Sequence, residues 1–162
     1  CLSRGLGDVY KRQMLREYLE AMRALWTADE AEYHGEFVDY GTSWAWPKPP
    51  QGSIPTLVGA AGNEKNFRWI ARSADGWITT PGEEDIAGSV ALLRKIWADA
   101  GRAGDPQVVV LDVKPIPERL DHFRDLGVTT VLYGVPDDSV DRATGYLAKL
   151  AGKVGLAPAV AR

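Results

Sequence analysis

The residues best suited to chemistry form a run of small side chains after a predicted strand. Thr56-Leu57-Val58 is typical of a short strand, and five residues follow it: Gly59, Ala60, Ala61, Gly62 and Asn63. Small residues let a ligand approach the backbone closely, and the next helix would offer N–H groups and a positive dipole end to a phosphate. The run is neither a Walker loop nor a GxGxxG motif, so a tight turn packed by small residues is the alternative.

Four more residues are candidates for a substrate pocket. Thr79 lies near the carboxyl end of the second predicted strand, where functional groups of parallel α/β folds are found. His34, Trp44 and Trp46 lie in a long connection rich in aromatic residues and proline, a type of segment that is often functional. The tryptophans have the shape to stack on a flat ligand. Packing in a core or a lid explains them equally well, and a lone loop histidine is more often structural than catalytic.

Several other chemistries lack the residues that they need. The sequence has no HExxH motif, no histidine pair at ligand spacing and no cysteine cluster, so we expect no metal site. It has no GxSxG motif, so a nucleophilic serine triad is not indicated. The acidic run Glu83-Glu84-Asp85 is explained by the favourable effect of negative charge at the start of a helix. A net charge of −3 argues against nucleic acid, and without eighteen consecutive apolar residues we expect no membrane partner. The lone cysteine, Cys1, favours a reducing compartment, so we expect a cytoplasmic protein.

The elements that must position these residues follow a regular order. Apolar residues at spacings of three and four predict a helix from Met14 to Trp26. The segment 44–50 contains three prolines and is therefore not expected to be helical. Strands are then predicted at 56–58, 76–80, 108–113 and 129–133, and helices at 64–73, 84–100, from 117 to a stop at Gly127, and from a cap at Asp137 or Asp138 to 151. This alternation predicts a parallel sheet covered by helices. The sheet is either open and flavodoxin-like or half of a (β/α)8 barrel, which needs about 250 residues.

The two ends of the 162-residue chain differ from the rest. Residues 1–13 have no apolar period and no helix cap, and 8–13 back-translate to the end of a transposon adapter used in sequencing libraries. We therefore expect 1–13 to be a non-native segment of metagenomic origin, 14–154 to be a partial barrel domain and 155–162 to be a loose tail. On this interpretation the natural protein continues upstream of Met14, and the chain is a fragment.

Several segments, taken in order, resemble the luciferase-like monooxygenase superfamily, and in particular its deazaflavin (F420)-dependent oxidoreductases. The matching segments are Glu17–Thr27, Tyr33–Phe37, Pro47–Pro49, Ile54–Gly62, Ala74–Trp77 and Leu126–Val128. Each motif alone is common, and their order and spacing carry the resemblance. It covers Met14 to about Leu150.

The resemblance implies an α/β fold in which the chain is the C-terminal half of a (β/α)8 TIM barrel, about strands five to eight. Tyr33–Pro50 would be an aromatic and proline-rich insertion over the pocket for a small-molecule substrate. The turn 59–63 would approach a cofactor phosphate, with F420 as the cofactor and FMN as the alternative, although the family's usual pair of glycines is Gly59-Ala60 here.

The resemblance also implies what the parent protein does. It would be a homodimeric oxidoreductase or monooxygenase that transfers a hydride to or from a small organic molecule. The first four strands would carry the deazaflavin ring platform and most substrate contacts. The catalytic residues are therefore unknown, and we expect the isolated chain to be inactive.

A non-enzymatic α/β module, receiver-like or small-ligand-binding, is the alternative function. A receiver needs an acidic cluster at its strand ends, whereas Asp112 stands without an acidic partner. The order of the strands decides between the folds, because sequential neighbours indicate half a barrel and a central first strand indicates a doubly wound sheet. Half a barrel would also expose a sheet edge, from which we expect poor solubility or dimerisation.

Overall fold

The computed structural model describes residues 2–83, 85–111 and 113–156, with side chains from Tyr10 onward. The chain forms two compact units, Cys1–Pro55 and Thr56–Arg162. Glu84, Asp112 and residues 157–162 of the expected tail lie outside the described residues. Within the described ranges, no helix is both long and apolar enough to cross a membrane.

The first unit consists of a long helix and a β-hairpin. Helix α1 spans Leu2–Thr27, and strands β1 (Ala31–His34) and β2 (Asp39–Ser43) pair antiparallel. The helix begins well before the predicted start at Met14, because the hairpin gives its first half tertiary partners. The ring of Tyr10 meets that of Phe37 edge-on at 4.7 Å, and Gln13 Nε2 donates to Glu36 Oε2 at 2.6 Å. The adapter origin of residues 1–13 stays a prediction.

Glu17 fixes the hairpin to α1. Its side chain is buried, and its Oε2 accepts the backbone N–H of Phe37 at 2.7 Å. Gly35 leaves room for the carboxylate, because a Cβ there would overlap Glu17 and lie 2.7 Å from the Tyr33 ring. The predicted apolar face of this helix is therefore partly wrong, since the hairpin covers the Glu17 side instead. Exposed residues of the predicted face are Leu15, Tyr18 and Met22.

The second unit is a parallel sheet with helices in its connections. Its elements, in chain order, are β3 (Leu57–Gly59), α2 (Glu64–Ser73), β4 (Gly76–Thr79), α3 (Ile86–Asp99), β5 (Gln107–Leu111), α4 (Pro117–Leu126), β6 (Thr130–Leu132) and α5 (Val140–Lys153). All neighbouring strands are parallel, and their order is β3-β4-β5-β6. Sequential neighbours are what half a (β/α)8 barrel requires, so the doubly wound alternative is wrong.

The main core of this unit lies between the sheet and helices α2 and α3. Phe67 and Ile70 project from α2, Leu93 from α3, and Trp77 and Val108 from the strands, and all five are fully buried. The rings of Phe67 and Trp77 meet edge-on with centroids 5.1 Å apart. Removing this much apolar surface from water is the main stabilising contribution of the layer.

In the second unit the helix ends follow the sequence closely, with one exception. Gly127 ends α4 in the left-handed conformation, with φ +86°, as predicted. Ser139, not Asp137 or Asp138, occupies the N-cap position of the last helix, and its side chain makes no capping hydrogen bond. Asp138 instead accepts the N–H of Ser139 at 2.7 Å and pairs with Arg142 at 2.7 Å, so its carboxylate is engaged one residue before the cap.

Candidate functional site

Three hydrogen bonds fix the turn between β3 and α2. Asn63 caps α2 by accepting the backbone N–H of Asn66 at 3.0 Å. The side-chain amide of Asn66 donates to the carbonyl of Ala61 at 2.9 Å, and the buried indole N–H of Trp77 donates to the carbonyl of Ala60 at 2.8 Å. The predicted run of small residues is therefore a fixed loop at the carboxyl end of β3 and at the N-terminus of α2.

The two glycines of the turn lack a side chain for different reasons. A Cβ on Gly62 would overlap the hydroxyl of Ser89 and lie 2.8 Å from Glu83 Oε1, so packing requires glycine there. The nearest atom to a Cβ on Gly59 would be Ile78 Cγ2 at 3.5 Å, an ordinary contact, and its φ is not left-handed. Gly59 is also exposed. Among the described residues, neither packing nor backbone conformation requires glycine at this position, so the space is suited to a ligand.

Two more side chains complete the site. Glu83 lies in the connection between β4 and α3, and Ser89 lies in the first turn of α3. Glu83 Oε2 accepts the N–H of Gly62 across 3.4 Å. Ser89 is 6% exposed, and its hydroxyl lies against the backbone of Gly62. Asp85 caps α3 by accepting the N–H of Gly88 at 2.8 Å, which accounts for one carboxylate of the run but not for Glu83.

Sequence reasoning did not identify these two residues as part of the site. A polar residue on the apolar side of α3 was the available signal for Ser89. For Glu83 the sequence had no separate signal, because a helix start explains an acidic run without further help.

The turn has the features that a phosphate group requires. It precedes a ten-residue helix, whose first N–H groups and dipole attract an anion. The bare backbone at Gly59 permits close approach, and the Ser89 hydroxyl beside Gly62 adds a neutral polar group. The residues present therefore fit the phosphate of a flavin or deazaflavin cofactor.

Thr79 lies at the end of β4 and is 8% exposed. It is in register with Val110 of β5, whose side chain packs with Phe123 of α4. Because residues in register point to the same face, Thr79 shares the face that the helices cover. Its place in a substrate pocket stays a prediction.

The remaining candidates, His34, Trp44 and Trp46, belong to the first unit. His34 Nδ1 lies 2.6 Å from Asp39 Oδ1 across the hairpin, and both side chains are exposed. Trp44 and Trp46 are 64% and 65% exposed, so packing in the core of this unit is the wrong alternative for them. Lys48 Nζ lies 5.2 Å from the centroid of the Trp46 ring. A role for these residues in covering a pocket stays a prediction.

The described residues hold no cluster of metal ligands. Across 2–83, 85–111 and 113–156 there is no group of three or more histidine, cysteine, aspartate or glutamate side chains that could hold a metal ion. The chemistry of the described site is therefore that of N–H groups, one hydroxyl and one carboxylate around the turn 59–63.

Comparisons with known proteins lead to one family. The family model for luciferase-like monooxygenase matches residues 8–122. An uncharacterized protein of Mycobacterium tuberculosis is 65% identical over 150 residues, which are 93% of this chain and 53% of that protein. An F420-dependent glucose-6-phosphate dehydrogenase of Nocardia farcinica is 35% identical over 91 residues, 56% of this chain and 26% of the enzyme.

A solved structure shows the same fold. The crystal structure of a monooxygenase from Streptomyces bottropensis superposes with a TM-score of 0.52 at 16% identity, covering 85% of this chain and 43% of that one. The chain spans about half the length of the curated relatives it matches. The predicted family and the predicted partial barrel are confirmed by the family match and by the parallel sheet. The chain belongs to the luciferase-like monooxygenase family.

Proposed function

We propose that this chain forms the C-terminal half of a barrel that transfers a hydride through F420, with FMN as the alternative cofactor, and that the turn 59–63 holds the cofactor phosphate. The observation that carries the proposal is Gly59, which is bare although neither its packing nor its backbone requires glycine. The 35% identity to the F420-dependent dehydrogenase of Nocardia farcinica favours F420 over FMN.

The residues of this chain would bind and orient the cofactor. The cofactor itself supplies the hydride chemistry when it is bound. The N–H groups at the start of α2 meet the phosphate, and Trp77 and Asn66 fix the loop by binding the carbonyls of Ala60 and Ala61. A fixed loop has lost its conformational freedom before the ligand arrives, which favours binding.

The wider assignments belong to the same proposal. The substrate is a small organic molecule, and His34, Trp44 and Trp46 of the first unit contribute to its pocket. The catalytic residues lie in an upstream half of the barrel, and the complete protein is a cytoplasmic homodimer. The family match and the half-length coverage of the relatives support the complete barrel.

A hybrid barrel tests the cofactor assignment. In this hybrid, the chain replaces the matching 150-residue segment of the Mycobacterium tuberculosis relative, whose remainder supplies the upstream strands. F420 and FMN are titrated by fluorescence into the hybrid and into the unmodified relative. We expect saturable binding of F420 with a Kd on the order of micromolar. A hybrid that is folded by circular dichroism and binds neither cofactor would contradict the proposal.

The isolated 162-residue chain is expected to be inactive and to self-associate. The described sheet has four strands where a complete barrel has about eight, so half of the pocket is missing and the sheet keeps unpaired edges. The measurements are oxidation of reduced F420 by the purified chain and size-exclusion chromatography. Turnover, or a stable monodisperse monomer, would count against this part of the proposal.

A further inference from the structure

We propose that the cavity between α5 and the connection after β5 binds a small organic acid, a molecule with an apolar body and one negatively charged group. The cavity measures about 370 Å³. The described residues that line it are Pro115, Tyr146, Lys149, Leu150, Gly152 and Lys153. None of them belongs to the turn 59–63, so this inference goes beyond the proposed function and does not depend on the cofactor assignment.

One face of α5 forms most of the cavity wall. Four of the lining residues occupy positions i, i+3, i+4 and i+7 of this helix, which place them on one side of it. Tyr146 and Leu150 form the apolar edge of that face, and they are half-buried and buried. Lys149 and Lys153 form its positive edge. The same stretch of helix therefore offers a ligand both apolar contact and charge.

The opposite wall lies at the carboxyl end of the sheet. β5 ends at Leu111, and Pro115 follows in the connection to α4. A neighbouring cavity, also of about 370 Å³, shares Tyr146 and Lys149 and reaches Pro136 in the connection after β6. The connections at the carboxyl ends of the strands carry the binding sites of (β/α)8 barrels. The cavity is therefore placed where this fold binds small molecules.

The charge at the mouth of the cavity is positive. Lys149 and Lys153 are exposed, and no carboxylate is among the described residues that line the cavity. The stem of a lysine can line an apolar wall while its ammonium group stays in water. The two ammonium groups stand one helical turn apart, a spacing at which like charges repel. A bound anionic group would relieve that repulsion.

The dipole of α5 accounts for one of the two lysines. The negative end of a helix attracts cations within its last turn, and Lys153 is the basic residue of that turn. Lys149 lies one turn earlier and lines both cavities. Of the two carboxylates on the neighbouring cavity, Asp138 is paired with Arg142 at 2.7 Å, and Asp141 lies about two helical turns from Lys149. A negatively charged ligand therefore explains Lys149 better than the fold does.

The size and lining of the cavity decide the class of ligand. Its volume is near the lower end of the range for small-molecule sites, about 300–1,000 Å³, which suits a single ring system. Pro115, Tyr146 and Leu150 would remove the apolar body of the ligand from water. The lysines would meet its charged group as point charges, without the fixed geometry that an arginine imposes.

Fluorescence titration with naphthoate tests the site, and its neutral amide, naphthamide, is the matched ligand control. Both probes are titrated at low salt into the hybrid and into the 162-residue chain, which forms the cavity without the upstream half. Naphthoate is expected to bind with a Kd on the order of 0.1 mM. Naphthamide is expected to bind about tenfold more weakly, because it keeps the apolar body and lacks the charge.

Substitution of the lysines tests their part in binding. Lys149→Gln and Lys153→Gln are each expected to weaken naphthoate binding about threefold, and the double variant about tenfold. The affinity for naphthamide is expected to stay unchanged in all three, because this probe has no charge for the lysines to meet. Lys95→Gln is the control, since it removes an exposed lysine of α3 that pairs with Asp99 at 3.1 Å and does not line the cavity. It is expected to change neither affinity.

The outcomes separate this inference from the proposed function. If neither the chain nor the hybrid binds naphthoate, or if both probes bind equally well, the proposed site is wrong. Binding by the chain but not by the folded hybrid would also overturn it, because the upstream half of the barrel would then cover the cavity. The proposed function fails on a different result, the loss of F420 and FMN binding by a hybrid that still binds naphthoate.

Discussion

Replacing Gly59 with alanine is expected to weaken F420 binding by the hybrid about tenfold or more while leaving its stability nearly unchanged. The fold accommodates the new methyl group, because its nearest neighbour would be Ile78 Cγ2 at the ordinary distance of 3.5 Å. Such a substitution at a compatible conformation also restricts the unfolded chain, which slightly favours folding. A phosphate in close contact with the bare backbone has no such space, so the methyl displaces it from the donors of the turn.

The measurement pairs an F420 fluorescence titration with thermal unfolding of the same sample. Gly145→Ala is the matched control, because a Cβ on this α5 residue meets nothing within 4 Å. It adds the same methyl group away from the turn and is expected to leave F420 binding unchanged. Wild-type affinity in Gly59→Ala would remove the observation on which the cofactor assignment rests. A loss of affinity together with a loss of stability would make Gly59 a structural residue instead.

Gly76→Ala is expected to destabilise the second unit by about 3 kcal/mol or more. A Cβ there would overlap the carbonyl oxygen of Gln107 and lie 2.7 Å from its carbonyl carbon. Those atoms are backbone and cannot rotate away. Gly76 pairs with Leu57 on one side and with Gln107 on the other, so β4 can make room only by breaking its pairing with β5.

Urea unfolding of the hybrid, followed by circular dichroism, measures this effect. Gly59→Ala is the control, because it adds the same methyl group to the neighbouring strand β3 without an overlap. The free energy of unfolding is expected to fall in Gly76→Ala and to stay near that of the wild type in Gly59→Ala. A loss below about 1 kcal/mol in Gly76→Ala would show that β4 and β5 separate easily, against the close pairing described above.

The sequence predicts the strands and helices of the second unit well, because their signals are local. The spacing of Phe67, Ile70 and Ala71 identifies the buried face of α2, and all three are buried. Gly127 marks the end of α4, because the left-handed conformation there favours glycine. The order of the strands is not local. Alternating strands and helices suit an open sheet and a barrel equally, and the order β3-β4-β5-β6 decides between them.

The first unit shows where local reasoning fails. The apolar spacing of α1 places Leu15, Tyr18 and Met22 inward, yet they are exposed while Glu17 is buried. The cause lies twenty residues along the chain, where the backbone N–H of Phe37 donates to the Glu17 carboxylate. A helical wheel contains no information about such a donor.

The sequence reveals only the contiguous part of the candidate site. The small residues 59–63 are contiguous, so the pattern reveals them, and Asn63 is the helix cap that its position indicates. Glu83 and Asp85 look alike in the sequence, since both precede a helix. The structure separates them, because Asp85 accepts the N–H of Gly88 in its own helix and Glu83 accepts that of Gly62 from another connection.

A crystal structure of the hybrid with bound F420 tests the central claim most directly. We expect the phosphate oxygens of F420 to lie about 3 Å from backbone nitrogens of the turn 59–63 and of the first turn of α2. We also expect the Gly59 backbone to be in van der Waals contact with the cofactor. Bound F420 with its phosphate at another loop, and the turn 59–63 in contact with solvent or protein alone, would contradict the account.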